Sequence, residues 1–418
     1  MPKLYITGGN KLQGEINLHG AKNSVLPLLS ATVLCKGKSV IHNCPKISDV
    51  GVSIKILENL GCKCTQEGNT VAVDTDTIDG YNIPDNLMRE MRSSIVFLGA
   101  IAGRMKRAVV SNPGGCELGP RPINMHLSAL RKMGLQIEEN HGFLDCNAKD
   151  GLTGTELFLP FASVGATENI ILAAVLAKGT TVIHNSAREP EIIDLADFLN
   201  DAGADIRGAG TDIIVINGVK ELYAVEHRVI PDRIAAATYI CAAGITRGSI
   251  MLNNVEPNHF AVPLNFFKEC GCKIICSDSK IYVNALNCIN AVSEIKTSVY
   301  PGFPTDAGPT MISLLSVANG TSLFVENIFQ NRYKYIDELI RLGCNIKTQG
   351  NVAVIEGVER LSAASVECTD LRGGAALVVA ALAADGTSEI NKIYHIERGY
   401  ENIVDNLARL GADIRKEM

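Results

Sequence analysis

The chain contains no tryptophan, and aromatic residues make up only 5% of its 418 residues. So few rings exclude the stacking platforms on which single-stranded nucleic acids are bound. Positive charge is scarce too. The formal net charge is −6, which argues against a nucleic-acid surface. An anionic ligand would have to be held by local clusters of Arg and Lys. No apolar run approaches the roughly 20 residues that cross a bilayer; the nearest, residues 373–386, is short and Ala-rich. The start, Met1-Pro-Lys-Leu-Tyr-Ile-Thr-Gly-Gly-Asn10, carries no apolar targeting segment. The expected location is therefore the cytoplasm, with reduced thiols and no membrane partner. Thirteen cysteines are present, yet Cys62-Lys-Cys64 and Cys270-Gly-Cys272 lack the spacing of zinc sites. In a strand such pairs share one face, so they read as small core hydrophobes, and no metal is expected.

What the chain does have is internal repetition. Leu57-Glu-Asn-Leu-Gly61-Cys-Lys-Cys64 resembles Leu130-Arg-Lys-Met-Gly134-Leu-Gln-Ile137 and Leu199-Asn-Asp-Ala-Gly203-Ala-Asp-Ile206. Phe267-Lys-Glu-Cys-Gly271, Leu339-Ile-Arg-Leu-Gly343 and Leu407-Ala-Arg-Leu-Gly411 continue the series, with glycine steps of 73, 69, 68, 72 and 68 residues. Each reads as an amphipathic helix ended by a C′ glycine and followed by an alternating strand. Lys36-Gly-Lys-Ser-Val-Ile-His-Asn43 and Lys178-Gly-Thr-Thr-Val-Ile-His-Asn185 form a second, related series. Arg247-Gly-Ser-Ile250, Asn319-Gly-Thr-Ser-Leu323 and Asp385-Gly-Thr-Ser-Glu389 belong with it. Stretches apolar nearly all round, such as Ile170–Ala177, predict buried helices with sheets outside. Six units predict an α/β protein of two threefold-repeat domains. One spans 22–230; the other combines 1–21 with 231–418, the hinge lying within Glu221–Arg233 and a ligand cleft between the domains.

Candidate chemistry lies in loops outside the repeat. Asn112-Pro-Gly-Gly-Cys116-Glu-Leu-Gly-Pro-Arg121-Pro122 packs three glycines and three prolines around one thiol and one guanidinium. No regular element runs through such a segment. It reads either as an active-site loop bearing a reactive cysteine or as a structural turn with an incidental one. Gly20-Ala-Lys22-Asn23-Ser24 and Met91-Arg92-Ser-Ser94 each open a helix, where backbone N–H groups and a cation suit an anion. Asp306 ends the irregular stretch Tyr300-Pro-Gly-Phe-Pro-Thr-Asp306; it reads as an N-cap or as a general base. Asp370-Leu-Arg372-Gly and His395-Ile-Glu-Arg398-Gly place two more arginines beside glycines. Guanidinium forks suit phosphate and carboxylate.

With these residues in view, the chain resembles the UDP-N-acetylglucosamine enolpyruvyl transferases of the EPSP synthase superfamily. The likeness runs through Gly20-Ala-Lys-Asn23, Pro113-Gly-Gly-Cys116, Ser163-Val-Gly-Ala-Thr-Glu-Asn169, Ala187-Arg-Glu-Pro-Glu-Ile192, Pro304-Thr-Asp306, Asp370-Leu-Arg-Gly373 and His395-Ile-Glu-Arg-Gly-Tyr-Glu401. It spans essentially the whole chain. The resemblance implies a two-domain inside-out α/β barrel. It implies transfer of the enolpyruvyl group of phosphoenolpyruvate to UDP-N-acetylglucosamine at the entry to peptidoglycan synthesis. No cofactor is implied, and the assembly expected is a monomer.

By position, the resemblance implies that Lys22, Arg121 and Arg398 hold phosphoenolpyruvate, with Arg372 nearby. Asn23, Arg92, Arg121, Pro122, Ile123, Asn124, Met125, Phe161, Ala162, Ser163, Val164, Asp306 and Ile328 would face the sugar nucleotide. Asp306 would take the proton of the sugar 3′-hydroxyl, and Cys116 would protonate C3 of phosphoenolpyruvate. Three positions depart from the commonest pattern of the family: Ala235 and Gln330, where Glu is usual, and Glu117, where a small residue is common. The shikimate-pathway enolpyruvyl transferase is the competing enzyme reading, but it lacks the Cys-bearing loop. A catalytically silent sugar-nucleotide-binding paralogue is the other.

Overall fold

A computed structural model describes residues 2–114, 123–287 and 289–417. Cys116, Glu117, Arg121 and Pro122 lie outside the described residues. The chain divides into two compact units. One runs to His19 and resumes at Pro231; the other begins at Gly20 and ends at Ile230.

Each unit is built round three apolar helices. In the Gly20–Ile230 unit these are α1 (Lys22–Thr32), α2 (Phe97–Met105) and α3 (Val164–Ala174). In the other unit they are α4 (Arg233–Ile245), α5 (Gly308–Leu315) and α6 (Leu371–Ala381). Every residue of α4 and α5 is buried. A helix this apolar has no solvent face to offer and must be enclosed. Small residues let the helices approach closely; a Cβ on Gly99 would fall 2.2 Å from the Asn169 carbonyl oxygen.

The helices Ser48–Asn59, Asn124–Lys132 and Pro190–Asp201 bury one face only, as do Ala261–Glu269, Ile336–Arg341 and Ile403–Arg409. The six repeat glycines follow them with φ between +89° and +107°, the left-handed C′ geometry their spacing predicts. The turn before each outer strand is left-handed as well, at Gly37, Lys106, Gly179, Arg247, Gly320 and Gly386. Lys106 hides one of these six turns from a search for glycine.

The strands form small sheets with alternating burial. Lys38–His42 lies between Glu226–Arg228, parallel, and Thr70–Asp74, antiparallel. Thr180–His184 and Thr321–Val325 repeat that arrangement. In the sixth repeat the inner hairpin strand is supplied by the N-terminus. Lys3–Thr7 pairs antiparallel with both Thr387–Asn391 and Asp413–Glu417. The fold is thus an inside-out α/β barrel, with helices in the core of each unit. No helix among the described residues is long and apolar enough to cross a membrane.

Three of the four paired cysteines are core filler, and Cys64 is only half-buried. Cys62, Cys270 and Cys272 are buried, and burial pushes the Cys62 and Cys272 thiols up to about 11. Among the described residues, no three His, Cys, Asp or Glu side chains gather at metal-binding distance.

Candidate active site

In the Gly20–Ile230 unit the site begins at α1. Gly20 is forced: a Cβ there would fall 1.9 Å from the Asn43 carbonyl oxygen. The helix starts without a side-chain cap. Lys22, its first residue, turns inward and meets Asp49 Oδ2 at 2.8 Å, with both side chains less than a tenth exposed. Arg92 opens a short 3-10 helix, Arg92–Val96, rather than a regular one, and α2 follows from Phe97. Its Nη1 donates to the Pro113 carbonyl at 3.3 Å, tying it to the start of the Cys-bearing loop.

Behind Arg92 lies a buried polar cluster. Asn169 Nδ2 donates to the Ile95 carbonyl and meets His126 Nδ1, both at 3.0 Å, while its Oδ1 accepts the Gly99 N–H at 2.6 Å. Burial, with the Arg92 charge added, lowers the His126 pKa to about 4. The imidazole is therefore neutral, and its Nδ1 accepts from Asn169. Ser163 caps α3, its Oγ accepting the Ala166 N–H at 3.4 Å. Phe161 is 42% exposed, and Ile123 precedes the helix that starts with Asn124 and Met125.

In the other unit Asp306 is not an N-cap. The 3-10 turn Thr305–Ala307 has Pro304 before it, and α5 starts at Gly308 without a side-chain cap. Asp306 lies instead between two guanidinium groups. Oδ1 accepts from Arg332 Nη2 at 3.3 Å, and Oδ2 accepts from Arg372 Nε and Nη2 at 3.3 and 3.2 Å. Arg332 Nη2 also donates to the Thr305 carbonyl at 3.1 Å, and Arg332 Nη1 stands 3.8 Å from Asp370. Asp370 caps α6 and so fixes Arg372 two residues on, accepting the Arg372 and Gly373 N–H groups at 3.0 Å.

Burial opposes the charge of Arg372, but Tyr400, Asp306 and Asp232 outweigh it and hold the guanidinium above its ordinary pKa. Its Cζ lies 5.3 Å from the centre of the Tyr400 ring. Tyr400 follows the half-buried Arg398 by two residues and closes the short helix Ile393–Arg398 onto this cluster. Among the described residues, Arg332 Nε and Arg372 Nη1 are buried with no acceptor. Glu326 positions Ile328 by accepting its N–H at 2.8 Å, and it takes the Thr305 hydroxyl, also at 2.8 Å.

The sequence profile described as EPSP synthase (3-phosphoshikimate 1-carboxyvinyltransferase) matches residues 6–407. The chain is 50% identical, over the full length of both, to UDP-N-acetylglucosamine 1-carboxyvinyltransferase 2 of Caldanaerobacter subterraneus subsp. tengcongensis. It is 47% identical to UDP-N-acetylglucosamine 1-carboxyvinyltransferase 1 of Symbiobacterium thermophilum, over 99% of this chain and 95% of that one. The chain belongs to the EPSP synthase family. Within it the chain groups with the UDP-N-acetylglucosamine 1-carboxyvinyltransferases. The enolpyruvyl transferase NikO from Streptomyces tendae superposes with a TM-score of 0.89 at 25% identity, covering 99% of this chain and 98% of that one. EPSP synthase from Acinetobacter baumannii shares the fold, with a TM-score of 0.78 at 17% identity and full coverage of both chains.

Sequence reasoning from the family pattern named Lys22, Asp306 and Arg372 but not the groups that hold them. Asp49, Arg332 and Glu326 were missed. An acidic residue in a first helical turn, or an Arg near an amphipathic helix, reads as surface decoration. Asn169 and His126 carried a usable signal, since a polar residue inside an apolar helix must find a partner. Of the departures from the family pattern, Ala235 is fully buried in α4, its N–H bonded to Asp232 Oδ1 at 2.8 Å, and Gln330 is exposed.

Proposed function

We propose that this chain transfers the enolpyruvyl group of phosphoenolpyruvate to the 3′-hydroxyl of UDP-N-acetylglucosamine, releasing phosphate and supplying peptidoglycan synthesis. The observation that carries the reading is the 50% identity across the whole chain to a relative of that name. Lys22, Arg121 and Arg398 hold phosphoenolpyruvate, with Arg372 beside them. Asn23, Arg92, residues 121–125 and 161–164, Asp306 and Ile328 hold the sugar nucleotide. The reaction belongs to the cytoplasm.

The 3′-oxygen attacks C2 of phosphoenolpyruvate while Asp306 accepts its proton and Cys116 delivers a proton to C3. The resulting ketal loses the phosphate and one of the three protons of the C3 methyl group, leaving the enolpyruvyl ether. Cations that neutralise the phosphate and carboxylate lower the cost of building charge at C2. A carboxylate shared by two guanidiniums is a weak base. An arriving substrate anion competes with Asp306 for Arg372, which loosens the guanidinium's hold on the carboxylate.

The test is phosphate release from phosphoenolpyruvate with UDP-N-acetylglucosamine or shikimate 3-phosphate as acceptor. Release with the sugar nucleotide alone is expected. Release with shikimate 3-phosphate alone would transfer the chain to the other enzyme of the family, and release with neither would favour a silent binding paralogue.

A further inference from the structure

The first turn of α1 carries Lys22, Asn23 and Ser24, and its N-cap, Ala21, offers no side-chain oxygen. The turn is held from the side instead. Ser24 Oγ donates to Asp194 Oδ2. Asp194 Oδ1 lies 2.9 Å from His227 Nε2, and Oδ2 also accepts the Ile230 N–H at 3.4 Å. The Ile230 carbonyl accepts the Ala21 N–H at 2.7 Å. The bonds therefore close a ring through the helix turn, the carboxylate, the strand end and the residue that precedes the helix.

The ring is dry. Ser24 is fully buried, Asp194 is 4% exposed, and Phe198 meets the His227 imidazole edge-on at 5.6 Å. A buried carboxylate is tolerated only when its oxygens are satisfied, and a fully satisfied network is rigid. The order of groups rules out a nucleophilic serine. The carboxylate stands between hydroxyl and imidazole, so the imidazole is not placed to take the Ser24 proton.

We infer that Asp194 is a positioning residue for phosphoenolpyruvate: through Ser24 it fixes the turn from which Lys22 projects, and His227 fixes Asp194. The inference rests on the reading that Lys22 holds phosphoenolpyruvate. A displacement of about 1 Å at such a cation costs up to about a hundredfold in rate.

Steady-state kinetics on the full chain test it. Ser24→Ala and His227→Ala are each expected to raise KM for phosphoenolpyruvate about tenfold, and KM for UDP-N-acetylglucosamine, which meets this turn through Asn23 alone among its many contacts, by about threefold or less. His227→Gln, which returns an Nε2 donor, is expected to restore the phosphoenolpyruvate KM. Ala variants with lowered thermal stability but an unmoved phosphoenolpyruvate KM would make the network merely structural and overturn the inference. A parallel rise in both KM values would overturn it too, as would a Gln variant no better than Ala. Should Ser24→Ala fail to fold, the His227 pair decides alone. An inert wild type defeats the enolpyruvyl reading and this inference with it; an active wild type with unmoved variants defeats this inference only.

Discussion

Asp306→Ala removes the anion from between two buried cations. The Arg332 and Arg372 side chains are 2% and 3% exposed, and each donates to an Asp306 oxygen, at 3.3 and 3.2 Å. At an effective dielectric constant of about 20, one such contact is worth about 5 kcal/mol before desolvation is counted. Breaking a buried pair by deleting one partner costs about 3–5 kcal/mol. Asp306 itself is 27% exposed, and Asp370 stays 3.8 Å from Arg332, so the expected loss is the lower figure, about 3 kcal/mol. In a unit of this size that is a drop in Tm of about 6–12 °C, read by scanning calorimetry. Loss of a general base lowers kcat by about 10²–10⁴-fold, with UDP-sugar affinity kept within about tenfold. Inorganic phosphate, an anion for the orphaned guanidiniums, should raise the Tm of the variant more than that of the wild type. An unchanged kcat would remove Asp306 from the chemistry, and an unchanged Tm would refute the electrostatic argument itself.

Cys116→Ala should abolish turnover, and an epoxide phosphonate of the fosfomycin type should add to the wild-type thiol but not to the variant; an intact-mass spectrum without adduct would contradict a reactive thiol. His126 has a folded pKa of about 4 against an ordinary value near 6.5. Its contribution is therefore full above about pH 6.5 and fades toward pH 4, by about 3 kcal/mol in all. Urea unfolding of His126→Asn should accordingly lose less stability than the wild type over that window, and parallel curves would count against a buried neutral imidazole. Gly20→Ala pushes a methyl group to 1.9 Å from the Asn43 carbonyl oxygen. It should cost about 1–3 kcal/mol in the same assay, and a neutral result would mean the loop yields freely.

The sixfold repeat was legible because it rests on backbone geometry. A helix that ends at a left-handed glycine leaves the same mark wherever it recurs, and φ at Gly61, Gly134, Gly203, Gly271, Gly343 and Gly411 is positive throughout. The inner helices were legible because Ile170–Ala177 has no polar face to show. Pairings between distant segments were much less so. That Lys3–Thr7 would sit between Thr387–Asn391 and Asp413–Glu417 follows from three-dimensional closure, which no local pattern encodes. The role of Asp306 was ambiguous for a similar reason. Its position before an apolar helix favours capping, and only the folded chain shows that Arg332 and Arg372, 26 and 66 residues away, hold its carboxylate. Asp194 gave no signal at all: an acidic residue in an amphipathic helix looks solvated until Ser24 and His227 are seen against it.

The most direct measurement of the central claim is to run the reaction in D2O with phosphoenolpyruvate and UDP-N-acetylglucosamine and to analyse the product by mass spectrometry and NMR. Addition of a solvent-derived proton to C3, followed by loss of one proton from the methyl group so formed, predicts an enolpyruvyl ether at the sugar 3′-oxygen carrying deuterium on its vinyl carbon, with phosphate released in equal amount. Phosphate released without the ether, or an ether whose vinyl carbon holds no deuterium, would contradict an addition–elimination at C2 with Cys116 as proton donor.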